Sequence, residues 1–144
     1  MPSDQLPPLE GTTLSGRRVR FPEDLPDVGT VLVIGFAHGA RHDVSAWKSA
    51  LTARGIAFLS LPTAERDTTP ESMASVGEAM RAHVPGEAWE QVVQIHGGGE
   101  ALKQAFGWQA DVFAKLLRVT REGGVRSRHD EGPFSEEALA AFLG

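Results

Sequence analysis

Ala114-Lys-Leu-Leu-Arg-Val-Thr-Arg-Glu-Gly-Gly-Val-Arg-Ser-Arg-His129 decides the fold. Two strand-forming runs, 114–120 and 125–129, flank Glu122-Gly123-Gly124, which is the composition of a tight antiparallel turn. A purely parallel, doubly wound sheet does not end in such a hairpin. What precedes it therefore has to be read as part of a mixed sheet with helices packed on it.

Upstream, strands and helices alternate. Val31-Leu-Val-Ile-Gly-Phe36 is a run of apolar and β-branched residues that predicts a strand buried on both faces. Val44, Trp47 and Leu51 then recur at helical spacing, and Gly55 can end a helix expected from about Asp43 to Arg54, leaving Lys48 to face water. Ile56-Ala-Phe-Leu-Ser-Leu61 is the next strand, so a right-handed parallel crossover is expected. Thr68 or Thr69 can cap a second helix that begins at Pro70, carries Met73, Val76 and Met80 on one stripe, and stops at Pro85-Gly86. Gln91-Val-Val-Gln-Ile95 reads as a third core strand. A brief helix carrying Leu102 and Phe106 follows Gly97-Gly-Gly99 and ends at Gly107.

The two ends of the chain complete the pattern. Thr12-Thr-Leu14 and Arg18-Val-Arg-Phe21 form a small hairpin around Gly16, while residues 1–10, with Pro2, Pro7 and Pro8, are expected to be a flexible arm. At the other end, Ser135 caps a last helix with Glu136 and Glu137 in its first turn, and Phe134 is placed to staple onto Leu139. Residues 11–144 are thus expected to form a single domain.

Composition bounds the function. With 144 residues, 41% of them hydrophobic, and a net charge of −5, the chain suits one soluble domain without long-range attraction to nucleic acid or an anionic membrane. No apolar run approaches a membrane span and the start lacks a signal-peptide pattern, so a cytoplasmic location is expected. Cysteine is absent, which removes disulfides, thiolate nucleophiles and cysteine-ligated metals. His96-Gly-Gly-Gly99 has the glycines of a hydrolase oxyanion loop, but no Gly-x-Ser-x-Gly elbow accompanies it, and a plain strand-to-helix turn is expected. Arg17, Arg18 and Arg20 on the first hairpin and Arg118, Arg121, Arg126 and Arg128 on the last read as solvated sheet edges. Trp47 is expected in the core, whereas Trp89 and Trp108 fall in loops as candidate exposed anchors.

The order of elements and three local motifs resemble the thioredoxin-like redoxins, the branch that includes alkyl-hydroperoxide and thiol-disulfide reductases. The motifs are Gly11-Thr-Thr-Leu-Ser-Gly16, Thr120-Arg-Glu-Gly-Gly-Val-Arg126, similar to that family's Asp-Arg-x-Gly-x-Val hairpin, and Gly132-Pro-Phe-Ser135 before the last helix. The resemblance implies a thioredoxin-like three-layer α/β sandwich: a mixed central sheet, a terminal antiparallel hairpin, and helices on both faces. It places the family's two cysteines near Ala40 and Asp43 and its loop proline near Ala114. Thiol-disulfide exchange and thiol peroxidase chemistry are then excluded here. Gly77-Glu-Ala-Met-Arg-Ala-His-Val-Pro85 is similar, in part, to a stretch of the thioredoxin-like assembly factor of the mitochondrial ATP synthase, which implies a protein partner and an assembly role.

The candidate binding surface is accordingly His38, Arg41, His42, Asp43 and Ala114, at the carboxyl end of a central strand where α/β proteins bind ligands. No catalytic residue, resident metal or cofactor is assigned. The alternative is a small enzyme or ligand-binding protein using His38, His42 and Asp43 as acid-base or metal groups, although two histidines and a carboxylate are an incomplete coordination shell. A homo-oligomer without a separate ligand is the plainest option.

Overall fold

The computed structural model describes residues 5–25, 30–36, 38–62, 70–95, 100–108, 113–130 and 132–144. Its strands are β1 (Leu9–Thr13), β2 (Arg18–Phe21), β3 (Thr30–Gly35), β4 (Phe58–Pro62), β5 (Val93–Ile95), β6 (Lys115–Val119) and β7 (Val125–His129). Its helices are α1 (Arg41–Ala53), α2 (Pro70–His83), α3 (Glu100–Phe106) and α4 (Glu136–Leu143).

A four-stranded mixed sheet, ordered β4-β3-β6-β7, carries the core. β3 pairs parallel to β4 and antiparallel to β6, as the strand-helix-strand pattern and the terminal hairpin require. β6 and β7 pair antiparallel through the Gly123-Gly124 turn, with a register shift at Arg118/Val119. Glycine is needed at 123 for two reasons. Its φ is +87°, and a Cβ there would press on the Pro22 ring, 3.0 Å from its Cβ and 3.2 Å from its Cγ.

The sheet is covered on both faces. Trp47 and Leu51 of α1 and Leu139 and Phe142 of α4 pack on Val31, Val33 and Leu116. Leu32, Ile34, Leu61, Leu117 and Val119 point the other way, onto Leu102 and Phe106 of α3 and onto Leu9, Val19 and Phe21 of the first hairpin. Alternating residues of β3 thus enter different clusters, which is why that strand is apolar throughout. At the end of the chain, Ser135 Oγ accepts the Ala138 N–H at 2.9 Å, the expected N-cap, and Phe134 joins the cluster that holds Leu139.

Three expectations need correction. The segment read as a flexible arm is held from Gln5 onward: Leu6 and Leu9 are buried, and Leu6 donates its N–H to the Gly123 carbonyl at 2.8 Å. Burial of two leucines outweighs the neighbouring prolines, which need no ladder hydrogen bonds. Strand β5 is buried but does not join the central sheet as a full strand. It pairs antiparallel with β1 in a second sheet, β2-β1-β5, and meets the first through a single parallel bridge between Ser60 and Val92.

The two loop tryptophans are also not exposed anchors. Trp108 is buried, stacks on Phe106 with ring centroids 4.9 Å apart, and donates its Nε1–H to Asp130 at 2.7 Å. Trp89 is half-buried and donates to the Val84 carbonyl at 2.8 Å. Each indole has an internal acceptor, so burial leaves no unpaired N–H. Arg128 lies over the Phe106 ring at 4.9 Å and also pairs with Asp130, more than a solvated edge would ask of it. The Thr68/Thr69 cap and the 96–99 loop lie outside the described residues, as do the Met73 and Val76 side chains.

Candidate functional site

The pairing of Ile34 with Lys115 puts Ala114, one residue before β6, beside the carboxyl end of β3. That is also where α1 begins. A one-turn 3-10 helix, His38–Ala40, leads into α1, and the helix packs closely there: a Cβ on Gly35 would come within 3.2 Å of Val44 Cγ2. Strand register and tight helix packing therefore bring the start of α1 and the Ala114 loop together.

Asp43 is the hub of this region. Its Oδ2 accepts the Ala114 N–H and its Oδ1 accepts the Phe134 N–H, both at 2.7 Å. One carboxylate in the first turn of α1 thus ties down the loop before β6 and the segment entering α4. Its position near the helix N-terminus adds a favourable interaction with the helix dipole. The sequence marks Asp43 as polar and helix-initiating, but not these partners, which lie 71 and 91 residues away.

The other candidates divide by exposure. Arg41 and His42 are exposed, Asp43 is half-buried, and Ala114 is fully buried and lies beneath the surface. Ala40 is also fully buried, so where the redoxin resemblance places a reactive group there is a sealed methyl. His38 lies in the 3-10 turn, and its side chain is outside the described residues. Both Asp43 oxygens thus accept main-chain amides, which is a structural role. Among the described residues no three His, Asp or Glu side chains gather into a group that could hold a metal.

Beneath this surface lies an aromatic cluster that the sequence shows only in part. Trp47 is fully buried, with Phe134 edge-on at 5.1 Å, Phe142 at 6.1 Å and the His129 ring at 4.7 Å. Among the described residues, the Trp47 Nε1–H is buried without a hydrogen-bond partner. His129 Nε2 lies 3.1 Å from the Gly132 carbonyl, which fixes the turn leading to Phe134. A histidine on a strand carries no sequence signal for this role, because its partners come from α1 and from the loop after β7.

No family model and no curated protein matches the chain in sequence. Solved structures do match in fold. The thio-disulfide isomerase from Thermus thermophilus superposes with a TM-score of 0.61 at 16% identity, over 97% of this chain and 92% of that one. BsSco, a member of the Sco family of cytochrome c oxidase assembly proteins, gives 0.64 at 13% identity over 98% and 92%. The thiol peroxidase from Chromobacterium violaceum gives 0.63 at 10% identity over 99% and 85%. The fold is therefore that of the thioredoxin-like redoxins, in a chain without cysteine.

Proposed function

We propose that this thioredoxin-like chain works without redox chemistry, as a protein-binding or assembly module whose contact surface is the start of α1. The observation that carries this reading is the conversion of the site. Where the redoxin resemblance places thiols there are a buried methyl, Ala40, and a carboxylate, Asp43, spent on two backbone amides. Arg41 and His42 flank them on the outside. An unreactive rim anchored at Asp43 suits recognition better than turnover.

Two likenesses favour an assembly role without naming the partner. One structural neighbour belongs to a family of cytochrome c oxidase assembly proteins. The 77–85 segment also resembles an ATP synthase assembly factor. A cytoplasmic setting fits the composition, and among the described residues no helix is long and apolar enough to cross a membrane.

Affinity purification compared between the native chain and an Arg41→Glu, His42→Ala variant tests the reading. A partner retained by the native chain and lost from the variant, with the fold intact by circular dichroism, is the expected result. Identical partner sets would remove the proposed surface. Insulin reduction or peroxide turnover at the rate of a thiol enzyme would remove the non-redox premise.

A further inference from the structure

The outer edge of α1 does not face open water. Ser45, Lys48, Ser49 and Thr52 fall at i, i+3, i+4 and i+7, one stripe of the helix, and this stripe forms one wall of a groove of about 610 Å³. Phe58 and Ser60 of β4, with Val92, form its floor, and the Val84–Gln91 segment supplies the opposite wall. The volume lies within the range of small-molecule sites. The groove is on a different side of α1 from the Trp47 stripe and holds none of the residues proposed above for partner binding.

Lys48 sets the chemistry. Among the described residues lining the groove it is the one that carries a charge, and none of them is a carboxylate. Among the described residues its ammonium is half-buried and has no hydrogen bond or ion pair, and burial pushes its pKa down from the ordinary lysine value. A partly desolvated cation gains from an anion that enters with it. Ser45, Ser49 and Thr52 supply hydroxyl groups to the groove, while Phe58, Val84 and Val92 supply apolar surface.

We propose that this groove binds an organic monocarboxylate with an apolar body, its carboxylate paired with Lys48 and its chain lying against Phe58, Val84 and Val92. A single cation matches a single negative charge. A phosphate dianion would ask for more positive charge than the described lining supplies.

Octanoate, with octan-1-ol as its neutral counterpart, is the probe. Titration into the 15N-labelled full chain, followed by amide chemical shifts, should give saturable changes at Ser49, Thr52 and Ala88. Octan-1-ol should bind about tenfold more weakly or worse, the factor expected for losing a charge-assisted hydrogen bond. Lys48→Met should remove that preference and leave octan-1-ol binding unchanged. Ala88→Trp, which fills the groove from the opposite wall, should abolish binding of both.

Octanoate shifts absent from the groove at millimolar concentration would overturn the proposal. So would a Lys48→Met variant that still prefers octanoate, or tighter binding of octyl phosphate than of octanoate. Arg41→Glu, His42→Ala should bind octanoate normally, so failure of this site and failure of the partner surface are separable.

Discussion

Replacing Asp43 by alanine removes two acceptors at once. The Ala114 N–H loses its partner inside a fully buried residue, and the Phe134 N–H loses its partner at a half-buried one. Hydrogen bonds to a charged acceptor contribute roughly 1.5–3 kcal/mol each, and a buried N–H left unpaired costs about 1–3 kcal/mol. Water can reach the Phe134 amide more readily than the Ala114 amide, so the two losses are unequal. A total of about 2–4 kcal/mol follows, including a few tenths for the helix dipole. For a domain of this size that is a fall in Tm of roughly 10 °C.

Asp43→Asn is the informative control. One carbonyl oxygen can still accept one N–H, now as a neutral bond, but the NH2 group then faces the second N–H, donor against donor. The asparagine variant should therefore lose more than half of what alanine loses, although it is nearly isosteric. Urea denaturation gives the stabilities, and amide hydrogen exchange reads the two bonds directly: Ala114 and Phe134 should lose protection in both variants. A cost below about 0.5 kcal/mol, the ordinary range of surface substitutions, would refute the reasoning, as would native protection at both amides in the alanine variant.

Substitutions at three further positions test other parts of the framework. Glu90 accepts hydrogen bonds from Ser15 and from Arg17, which hold its carboxyl below the usual carboxylate range, so it ties the first turn to the 86–91 segment. Because the folded pKa is lowered, the stabilisation is complete above the unfolded value of about 4.3 and fades as pH falls through the folded one; the Tm gap between native and Glu90→Gln should be full at neutral pH and close in acid. Trp47→Ala should cost about 3–5 kcal/mol by equilibrium unfolding, whereas Trp47→Phe should cost less than about 1.5 kcal/mol, since it keeps a ring among Phe134, Phe142 and His129 and deletes an unpaired buried N–H. Ser135→Ala should cost about 0.5–2 kcal/mol through loss of the bond to Ala138, and Ser135→Asp should recover most of it in the same thermal melt.

Local chemistry made most of the fold readable. The β3 run, the Trp47 stripe, the Gly123-Gly124 turn and the Ser135 cap each act within a few residues, and each predicts its element. What escaped were relations between distant segments. β5 is only three residues long, and nothing in Val93-Gln-Ile95 says that β1, rather than β4, supplies its ladder. Trp108 looks like a loop anchor until Asp130 and Arg128 are found beside it. Lys48 reads as a solvated helix position because the opposite wall comes from the 84–92 segment, some forty residues on in the sequence.

The candidate site shows the same division. A redoxin thiolate at a helix start is stabilised by the helix dipole and must stay open to attack. A carboxylate near the same position keeps the first property, but its oxygens here are closed off by two amides. Ala114 belongs to the same arrangement. Its N–H is the donor that a proline at the corresponding loop position would lack, so the alanine and the carboxylate are coupled, and each loses value without the other. The cost of Ala114→Pro should accordingly shrink once Asp43 is already alanine. The start of α1 is in this way a fixed joint among β6, α1 and α4, with Arg41 and His42 as the groups it presents.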